Sequence, residues 1–224
     1  MSEYHNTKAE DRVPLGQKLA VGAGGFPIQN GGLIVQYMAQ PIFQIFLGLN
    51  PALFGLAMTI PRIWDAFTDP IMGRISDRTQ SRYGRRRPYV FFGALAVALT
   101  FLTIWMVPQS MGDTGTFLWL TIGSVLFFTA FTVFSVPFNA LVYEQTPDYH
   151  ERTRLMFYLA LFYNIGNLCV NWYVPATNWS GFENPLVGAR WIALGLALVV
   201  FIGMGILPAI FGKERFYNVA QKEN

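Results

Sequence analysis

Long stretches without charge, separated by short arginine clusters, constrain this chain more than any other feature of its sequence. Residues 89–108 and 116–142 contain no charged side chain, whereas residues 74–87 contain six arginines. Only 13% of all residues are charged, against about 25% in ordinary soluble domains. Backbone polar groups in lipid must pair within the chain, so apolar segments of this length predict membrane-spanning helices. We therefore expect an all-α membrane protein.

The number of spans follows from the length of the apolar segments. A hydrocarbon core of roughly 30 Å needs about 20 apolar residues per helix. We expect a six-helix transmembrane bundle over residues 15–211, between a cytoplasmic tail (1–14) and a second tail or linker (212–224). The six segments lie at about residues 17–48, 51–75, 89–108, 116–145, 154–177 and 187–211.

Basic residues predict the orientation. Of the 16 lysines and arginines, all but Arg62 and Arg190 lie at segment ends that six spans would place on one side. Positive residues near span ends are retained in the cytoplasm, so we expect both termini in the cytoplasm and the chain in the cytoplasmic (inner) membrane. Membrane lipid, and not nucleic acid, then explains the net charge of +3. Tryptophans near the segment ends are expected to be interface anchors: Trp105, Trp119, Trp172, Trp179 and Trp191.

Catalytic signatures are missing from the sequence. It has one cysteine, and no nucleophile–base arrangement, phosphate loop or metal-ligand cluster can be recognised. We therefore expect neither an enzyme nor a protein with an organic cofactor.

The second apolar segment carries three ionisable side chains. Arg62, Asp65 and Asp69 are spaced three and then four residues apart, so they share one face of a helix. A charge at the bilayer centre costs roughly 2.5–3.5 kcal/mol, which argues for a purpose. Two carboxylates one turn apart, beside a hydroxyl at Thr68, can bind a sodium ion or share a proton. The alternative is a salt bridge between Arg62 and Asp65, which leaves the second acid unexplained.

Neutral polar residues in other segments allow two interpretations. They could form hydrogen bonds with the hydroxyl groups of a solute, or they could join helices to one another. Prolines close to two of them, Gln29 and Asn139, favour the first interpretation because they loosen the backbone, as at transporter sites. The candidate substrate-binding residues are Gln29, Asn30, Ser135, Asn139 and Asn164.

Two motifs give the chain a family resemblance. Residues 64–88 read W-D-A-F-T-D-P-I-M-G-R-I-S-D-R-T-Q-S-R-Y-G-R-R-R-P, and residues 136–142 and 146–155 read V-P-F-N-A-L-V and T-P-D-Y-H-E-R-T-R-L. The chain thereby resembles the major facilitator superfamily and, more narrowly, its glycoside-pentoside-hexuronide cation symporters, the family of the melibiose permeases. The resemblance runs from about residue 15 to 211 and implies one six-helix half of the superfamily fold.

The resemblance implies roles for individual residues. Asp65, Thr68, Asp69 and Thr132 match the ligands of the coupling ion, which would be sodium or a proton; sodium would bind the two carboxylates. The positions that correspond to the inner-gate loop are Gly73, Asp77, Arg78, Arg82, Gly84 and Arg85. The sugar-binding set differs, since Gln29 and Ser135 replace acids, Asn139 replaces a tryptophan and Ala160 an arginine. The expected solute is therefore a sugar, glycoside or polyol other than a simple galactoside.

Family members have twelve helices in two halves, so the resemblance also implies a second six-helix half as a partner. Three arrangements would supply that half: the chain could be a fragment of a longer protein, one half of a split transporter, or a homodimer. A homodimer is the least favoured of these, because it would duplicate the cation site. A different class of function also stays open. The chain could be a non-transporting membrane scaffold or sensor derived from a transporter.

Overall fold

The computed structural model describes residues 7–214, and within that range all regular structure is helical. A short 3₁₀ turn, Ala9–Asp11, precedes the helices. Two π-helical segments interrupt the α-helical pattern, Gln40–Phe46 after α2 and Ala197–Met204 between α7 and α8. The helices are α1 (Leu15–Ala23), α2 (Gly25–Ala39), α3 (Pro51–Arg78), α4 (Arg87–Trp105), α5 (Asp113–Tyr143), α6 (Tyr149–Thr177), α7 (Pro185–Leu196) and α8 (Gly205–Phe211).

These elements form six rods, one in each predicted segment. The first rod is residues 15–46 and the sixth is residues 185–211; α3 to α6 are the other four. Within residues 7–214, three stretches are long and apolar enough to cross a membrane by length and composition: Arg87–Trp105, Asp113–Tyr143 and Pro185–Phe211. The predicted tails lie partly outside the described residues, because residues 1–6 and 215–224 are not described.

Side-chain caps fix where several helices begin. The Oδ1 atom of Asn50 accepts a hydrogen bond from the N–H of Ala52 at 2.9 Å at the start of α3. Asp148 and Asn184 do the same for α6 and α7, at 2.7 Å and 2.9 Å. Each cap satisfies a backbone donor that a helix leaves without a partner in its first turn. Helix α6 therefore starts several residues before its apolar part.

Small residues and aromatic rings lie where neighbouring helices pack against one another. Helix α5 lies between α3 and α4, while α6 packs against α1 and α2, and the sixth rod packs against α4. At the α4–α5 crossing, a Cβ atom on Gly93 would lie 2.8 Å from the backbone of Phe134, so only glycine permits this approach. Phe101, Phe127 and Phe201 fill the space between α4, α5 and the sixth rod, with ring centroids 5.4–6.1 Å apart.

One predicted interface anchor is in the core. Trp105 is fully buried and packs edge-on against Phe101, so its prediction as an anchor was wrong. The tryptophans at positions 172, 179 and 191 are each more than 60% exposed on the bundle surface. Position near a segment end cannot distinguish an inward from an outward tryptophan, and Trp105 faces inward, with its ring centroid 6.1 Å from that of Phe43 in the first rod.

The basic segments meet at one end of the bundle. Gln17 of α1 donates to Gln145 after α5 at 2.7 Å, and the N–H of Lys213 donates to the same oxygen at 3.1 Å. At the other end, Arg190 donates to the carbonyls of Trp105 and Val107, both at 3.0 Å, and so caps the end of α4. The end that holds Gln145 is hereafter the basic end.

Candidate functional site

Helix α3 presents Asp65 and Asp69 one turn apart beside a local break in its hydrogen bonding. Pro70 has no N–H, so the carbonyl of Ala66 lacks its usual helical partner. This places two carboxylates and a loosened carbonyl within two turns of one helix. Oxygen groups of these kinds are the ligands that hard cations prefer.

A hydrogen bond joins this part of α3 to α5. The hydroxyl of Thr132, which is 97% buried, donates to Oδ1 of Asp69 at 2.8 Å. The side chain of Asp65 is 18% exposed, and its Oδ1 atom is buried without a hydrogen-bond partner among the described residues. A buried carboxylate oxygen without a donor is costly unless something else binds it. The arrangement therefore has one oxygen that is oriented by Thr132 and one that lacks a donor.

Arg62 is only loosely associated with the pair. Its Nη1 atom lies 4.0 Å from Oδ2 of Asp65, at the outer limit for an ion pair. Its Nη2 atom donates to the carbonyl of Gly32 in α2 at 3.0 Å, and its guanidinium lies 4.6 Å from the ring centre of Phe128 in α5. Arg62 thus links three helices. The alternative interpretation of the sequence was a salt bridge between Arg62 and Asp65, and at 4.0 Å this pair is not a tight one.

Thr68 points back to its own helix. Its hydroxyl lies 3.3 Å from the carbonyl of Trp64 and 3.4 Å from that of Asp65, and it forms no bond with either carboxylate. A contact that the sequence did not predict lies next to it, where the indole N–H of Trp64 donates to the hydroxyl of Thr129 at 2.9 Å. Thr129 and Thr132 thus present two hydroxyls to α3 within one turn of α5.

The neutral polar candidates separate into two groups. Asn30 is fully buried, accepts a hydrogen bond from the Tyr173 hydroxyl at 2.7 Å and donates to the Phe26 carbonyl at 3.1 Å, so it joins helices within the bundle. Gln29 instead reaches Asn167 at 3.4 Å, at the bundle surface.

The other neutral candidates remain accessible. Asn164 and Asn139 are exposed and Ser135 is half-buried. Asn164 uses one amide hydrogen on the Ala160 carbonyl of its own helix at 2.7 Å, which leaves its amide oxygen available. The surface of α6 around Asn164 and Asn167 therefore offers neutral hydrogen-bonding groups.

At the basic end, one carboxylate organises the arginine-rich loop. Oε1 of Glu144 accepts from Arg85 at 2.5 Å and from Arg86 at 2.8 Å, and Arg86 also donates to Asp77 at 2.6 Å. Glu144 and Arg86 were not among the predicted residues, although an acid directly after an apolar segment was a usable signal. Arg78 and Arg82 were predicted, but their side chains have no carboxylate within 4.0 Å among residues 7–214.

A second carboxylate binds the backbone of the same loop. Glu214 accepts hydrogen bonds from the N–H groups of Arg85, Arg86 and Arg87 at 2.6, 2.8 and 3.0 Å. Gly84 makes this possible because its φ of +103° favours glycine and a Cβ atom there would lie 2.8 Å from Glu214. By contrast, a Cβ atom on Gly73 would meet nothing closer than 3.9 Å.

Glu151 is a third carboxylate that the sequence did not single out. It is 1% exposed, and its Oε1 atom accepts from Lys18 at 2.6 Å and from the N–H of Val13 at 2.9 Å. Burial alone would raise its pKa, but the bonds from Lys18, Val13 and Arg154 together hold the pKa of Glu151 below its usual value. Glu151 thereby fastens the start of α1 to α6.

Residues 7–214 contain no group of three or more acidic, histidine or cysteine side chains that could hold a metal ion. A cation at Asp65 and Asp69 would therefore need hydroxyl, carbonyl or water oxygens to complete its ligands. Thr132 and the Ala66 carbonyl are the groups of this chain that fit that need.

Residues 20–224 match the family described as MFS/sugar transport protein. The chain is 37% identical over 144 residues to the uncharacterized symporter sll1374 of Synechocystis sp., which is 62% of this chain and 26% of that protein. It is 30% identical over 146 residues to the sodium-dependent lysophosphatidylcholine symporter 1 of Gallus gallus, 65% of this chain and 27% of that protein.

A third relative is the putative glycoside/cation symporter YagG of Escherichia coli, 27% identical over 191 residues, which is 84% of this chain and 40% of that protein. The chain thus spans less than half the length of the curated relatives it matches.

Proposed function

Because the chain belongs to the MFS/sugar transport protein family, we propose that it forms one six-helix half of a cation-coupled symporter. The chain is an integral membrane protein and not an enzyme. Its transport cycle would be alternating access, in which this bundle rocks against a second six-helix half. The solute would be a sugar, a glycoside or a related polyol.

One observation carries the proposal. The Thr132 hydroxyl orients Oδ1 of Asp69 at 2.8 Å while Oδ1 of Asp65 is buried without a donor, one turn away on the same helix. A sodium ion or a proton between the two carboxylates would supply the missing partner and offset their repulsion. The cation ligands proposed are therefore Asp65, Asp69 and Thr132, with Thr68 available after a rotation about its χ1 angle.

The neutral groups on α2, α5 and α6 support a hydroxyl-rich solute. Gln29, Asn139 and Asn164 can both donate and accept hydrogen bonds, as sugar hydroxyls require. Relatives of this chain are named both for glycosides and for lysophosphatidylcholine. A glycoside suits this chain better because these candidate residues carry amide groups and no charge.

The basic end supports the proposed orientation. It gathers the starts of α1, α4 and α6 and the end of α8, with their lysines and arginines, and we place it on the cytoplasmic side of the inner membrane. Both termini would then be cytoplasmic. The exposed apolar side chains of α3 and α6, such as Phe67 at 64% and Leu168 at 67%, would pack against the second half or lipid.

Sodium titration of the purified 224-residue chain tests the cation site. We expect calorimetric binding of sodium, or proton release on addition of sodium, that is lost in Asp65→Asn and Asp69→Asn. Asp113→Asn is the matched control, because Asp113 is an exposed acid in the first turn of α5. Unchanged affinity in both site variants would show that the carboxylates do not bind the coupling ion.

A second measurement separates a transporter from a scaffold or sensor. If the chain takes part in symport, a glycoside must tighten cation binding by the same factor by which the cation tightens glycoside binding. Cation binding that no glycoside, polyol or lysophospholipid alters would favour a non-transporting role.

A further inference from the structure

A groove lies at the basic end between α4 and α8, next to the arginine-rich loop. It encloses about 420 Å³ and is lined by Tyr83, Phe91 and Phe92 on one side and by Ile210 on the other, with Arg87 as its cationic residue. Phe92 is 66% exposed and Ile210 is 53% exposed, so the groove opens outward from the bundle. Its shape is therefore a slot with aromatic walls and a basic mouth.

Two guanidiniums near the mouth of the groove have no ion pair within the part of the chain that the structure describes. Arg87 donates to the carbonyls of Ala209 and Ile210 at 2.6 and 2.8 Å, which orients its guanidinium but leaves its charge in place. The guanidinium of Arg82 lies 4.6 Å from the ring centre of Tyr83. Glu214 accepts a hydrogen bond from the backbone N–H of Arg87 at 3.0 Å, but neither of these two guanidiniums forms an ion pair among residues 7–214, whereas those of Arg85 and Arg86 do.

The surroundings of the groove indicate lipid and not a soluble ligand. Two turns further along α4, Leu99 is 67% exposed, and the only other exposed residue of the helix beyond the groove is Thr103, whose hydroxyl bonds its own helix at 2.7 Å. The polar candidates of the solute site lie on α2, α5 and α6 instead. Arginine with tyrosine at the end of an apolar helix is typical of the membrane interface.

From the charge and shape of this groove, we propose that it binds one anionic phospholipid. The phosphate would lie at Arg87, which lines the groove, and at Arg82, which lies beside the groove over the ring of Tyr83; planar guanidiniums suit phosphate oxygens. One acyl chain would lie along Phe92 and Ile210. The site does not depend on the cation or solute sites, because none of its residues belongs to either; Arg82 is also one of the predicted gate-loop residues.

A second groove provides an internal comparison. It lies between α4 and α5 toward the opposite end, encloses about 470 Å³, and is lined by residues such as Leu118, Trp119 and Ile122 without any charged side chain. Acyl chains of any phospholipid can fill such a groove. The two arginines are what make the first groove selective for an anionic head group.

Native mass spectrometry of the detergent-purified full chain tests the proposal. The chain is titrated with phosphatidylglycerol and with phosphatidylcholine of the same acyl chains, at about 0.15 M salt to screen diffuse attraction. We expect one phosphatidylglycerol to bind at least about fivefold more tightly than phosphatidylcholine. Arg82→Gln should remove most of that preference, since one basic residue near an anionic lipid contributes about 1 kcal/mol, or about fivefold.

Matched controls separate the groove from general surface charge. Arg78→Gln removes the same charge from an exposed residue of α3 that, unlike Arg82, does not lie over the ring of a groove residue, and it should leave the preference unchanged. Phe92→Ala should weaken binding of both lipids, whereas Leu99→Ala should not. Equal binding of the two lipids by the unmodified chain, or equal losses in Arg78→Gln and Arg82→Gln, would overturn the proposal.

Discussion

Glu144 should be the residue on which the basic end depends most. Its Oε1 atom accepts from both Arg85 and Arg86, and the three side chains are only 10–15% exposed. Removal of one member of a buried ion pair costs about 3–5 kcal/mol, because the other charge is left without compensation. Glutamine retains a neutral acceptor and Arg86 retains Asp77, so we expect Glu144→Gln to lower the free energy of unfolding by about 2–3 kcal/mol.

The structure also predicts a graded series. Asp77 is 56% exposed and, among residues 7–214, its side chain pairs with Arg86 alone, so Asp77→Asn should cost less than about 1 kcal/mol. Glu183→Gln, an exposed acid at the opposite end, is the matched control and should have no effect.

Thermal unfolding in detergent gives the readout for this series. At about 2–4 °C per kcal/mol for a chain of this length, Glu144→Gln should lower the melting temperature by roughly 4–12 °C. Equal shifts in Glu144→Gln and Asp77→Asn would refute the assignment of Glu144 as the organising carboxylate.

Three further predictions concern the site, the packing and the pH response. Thr132→Val should weaken cation binding by about tenfold or more in calorimetry, because a hydrogen bond to a charged group contributes about 1.5–3 kcal/mol; Thr121→Val, a buried hydroxyl that bonds its own helix, should not. Gly93→Ala should lower the melting temperature through overpacking of about 1–3 kcal/mol against the α5 backbone, whereas Gly55→Ala, with nothing within 4 Å of a new Cβ atom, should not. The pKa of Glu151 is lower in the folded state than its unfolded value of 4.5, so its stabilising contribution is complete above pH 4.5 and is lost as the pH falls through the folded pKa. The difference between the melting temperatures at pH 7 and pH 4 should therefore be smaller in Glu151→Gln than in the unmodified chain.

The sequence predicts the helices well because their signals are local. Each predicted apolar segment coincides with helical structure, three of these stretches are long and apolar enough to cross a membrane, and capping residues such as Asp148 mark starts that hydropathy alone misses. Helix α6 begins at Tyr149, five residues before the predicted span, because its first turns are charged and lie outside the apolar stretch. A capping rule combined with hydropathy would have found that start.

The sequence predicts the carboxylates of the site but not their contacts with other helices, because those contacts depend on how the helices pair. Asp65 and Asp69 stand out through the cost of placing charge in an apolar segment. The bond between Trp64 and Thr129 depends on the register of α3 against α5, which no local pattern encodes. The same is true of Glu144, whose partners lie about 60 residues away along the chain.

The pairing of α3 with α5 connects the carboxylate pair to the basic end, and this connection can be measured. Asp69 contacts Thr132 directly, while Asp77, eight residues further along α3, reaches Glu144 through Arg86. Eight residues of helix span about 12 Å, a separation at which independent contacts have additive effects within about 0.3–0.5 kcal/mol.

A rigid α3 would make the two contacts interdependent, because release of its end at Glu144 would let the helix shift along α5. We therefore expect Thr132→Val to weaken cation binding less in a Glu144→Gln background than in the unmodified chain, with a coupling free energy above about 0.5 kcal/mol in a double-mutant cycle. Pro70 lies between the two contacts and removes one helical hydrogen bond. Strict additivity would mean that α3 bends there, and that the state of the basic end is not transmitted to Asp65 and Asp69 through this helix.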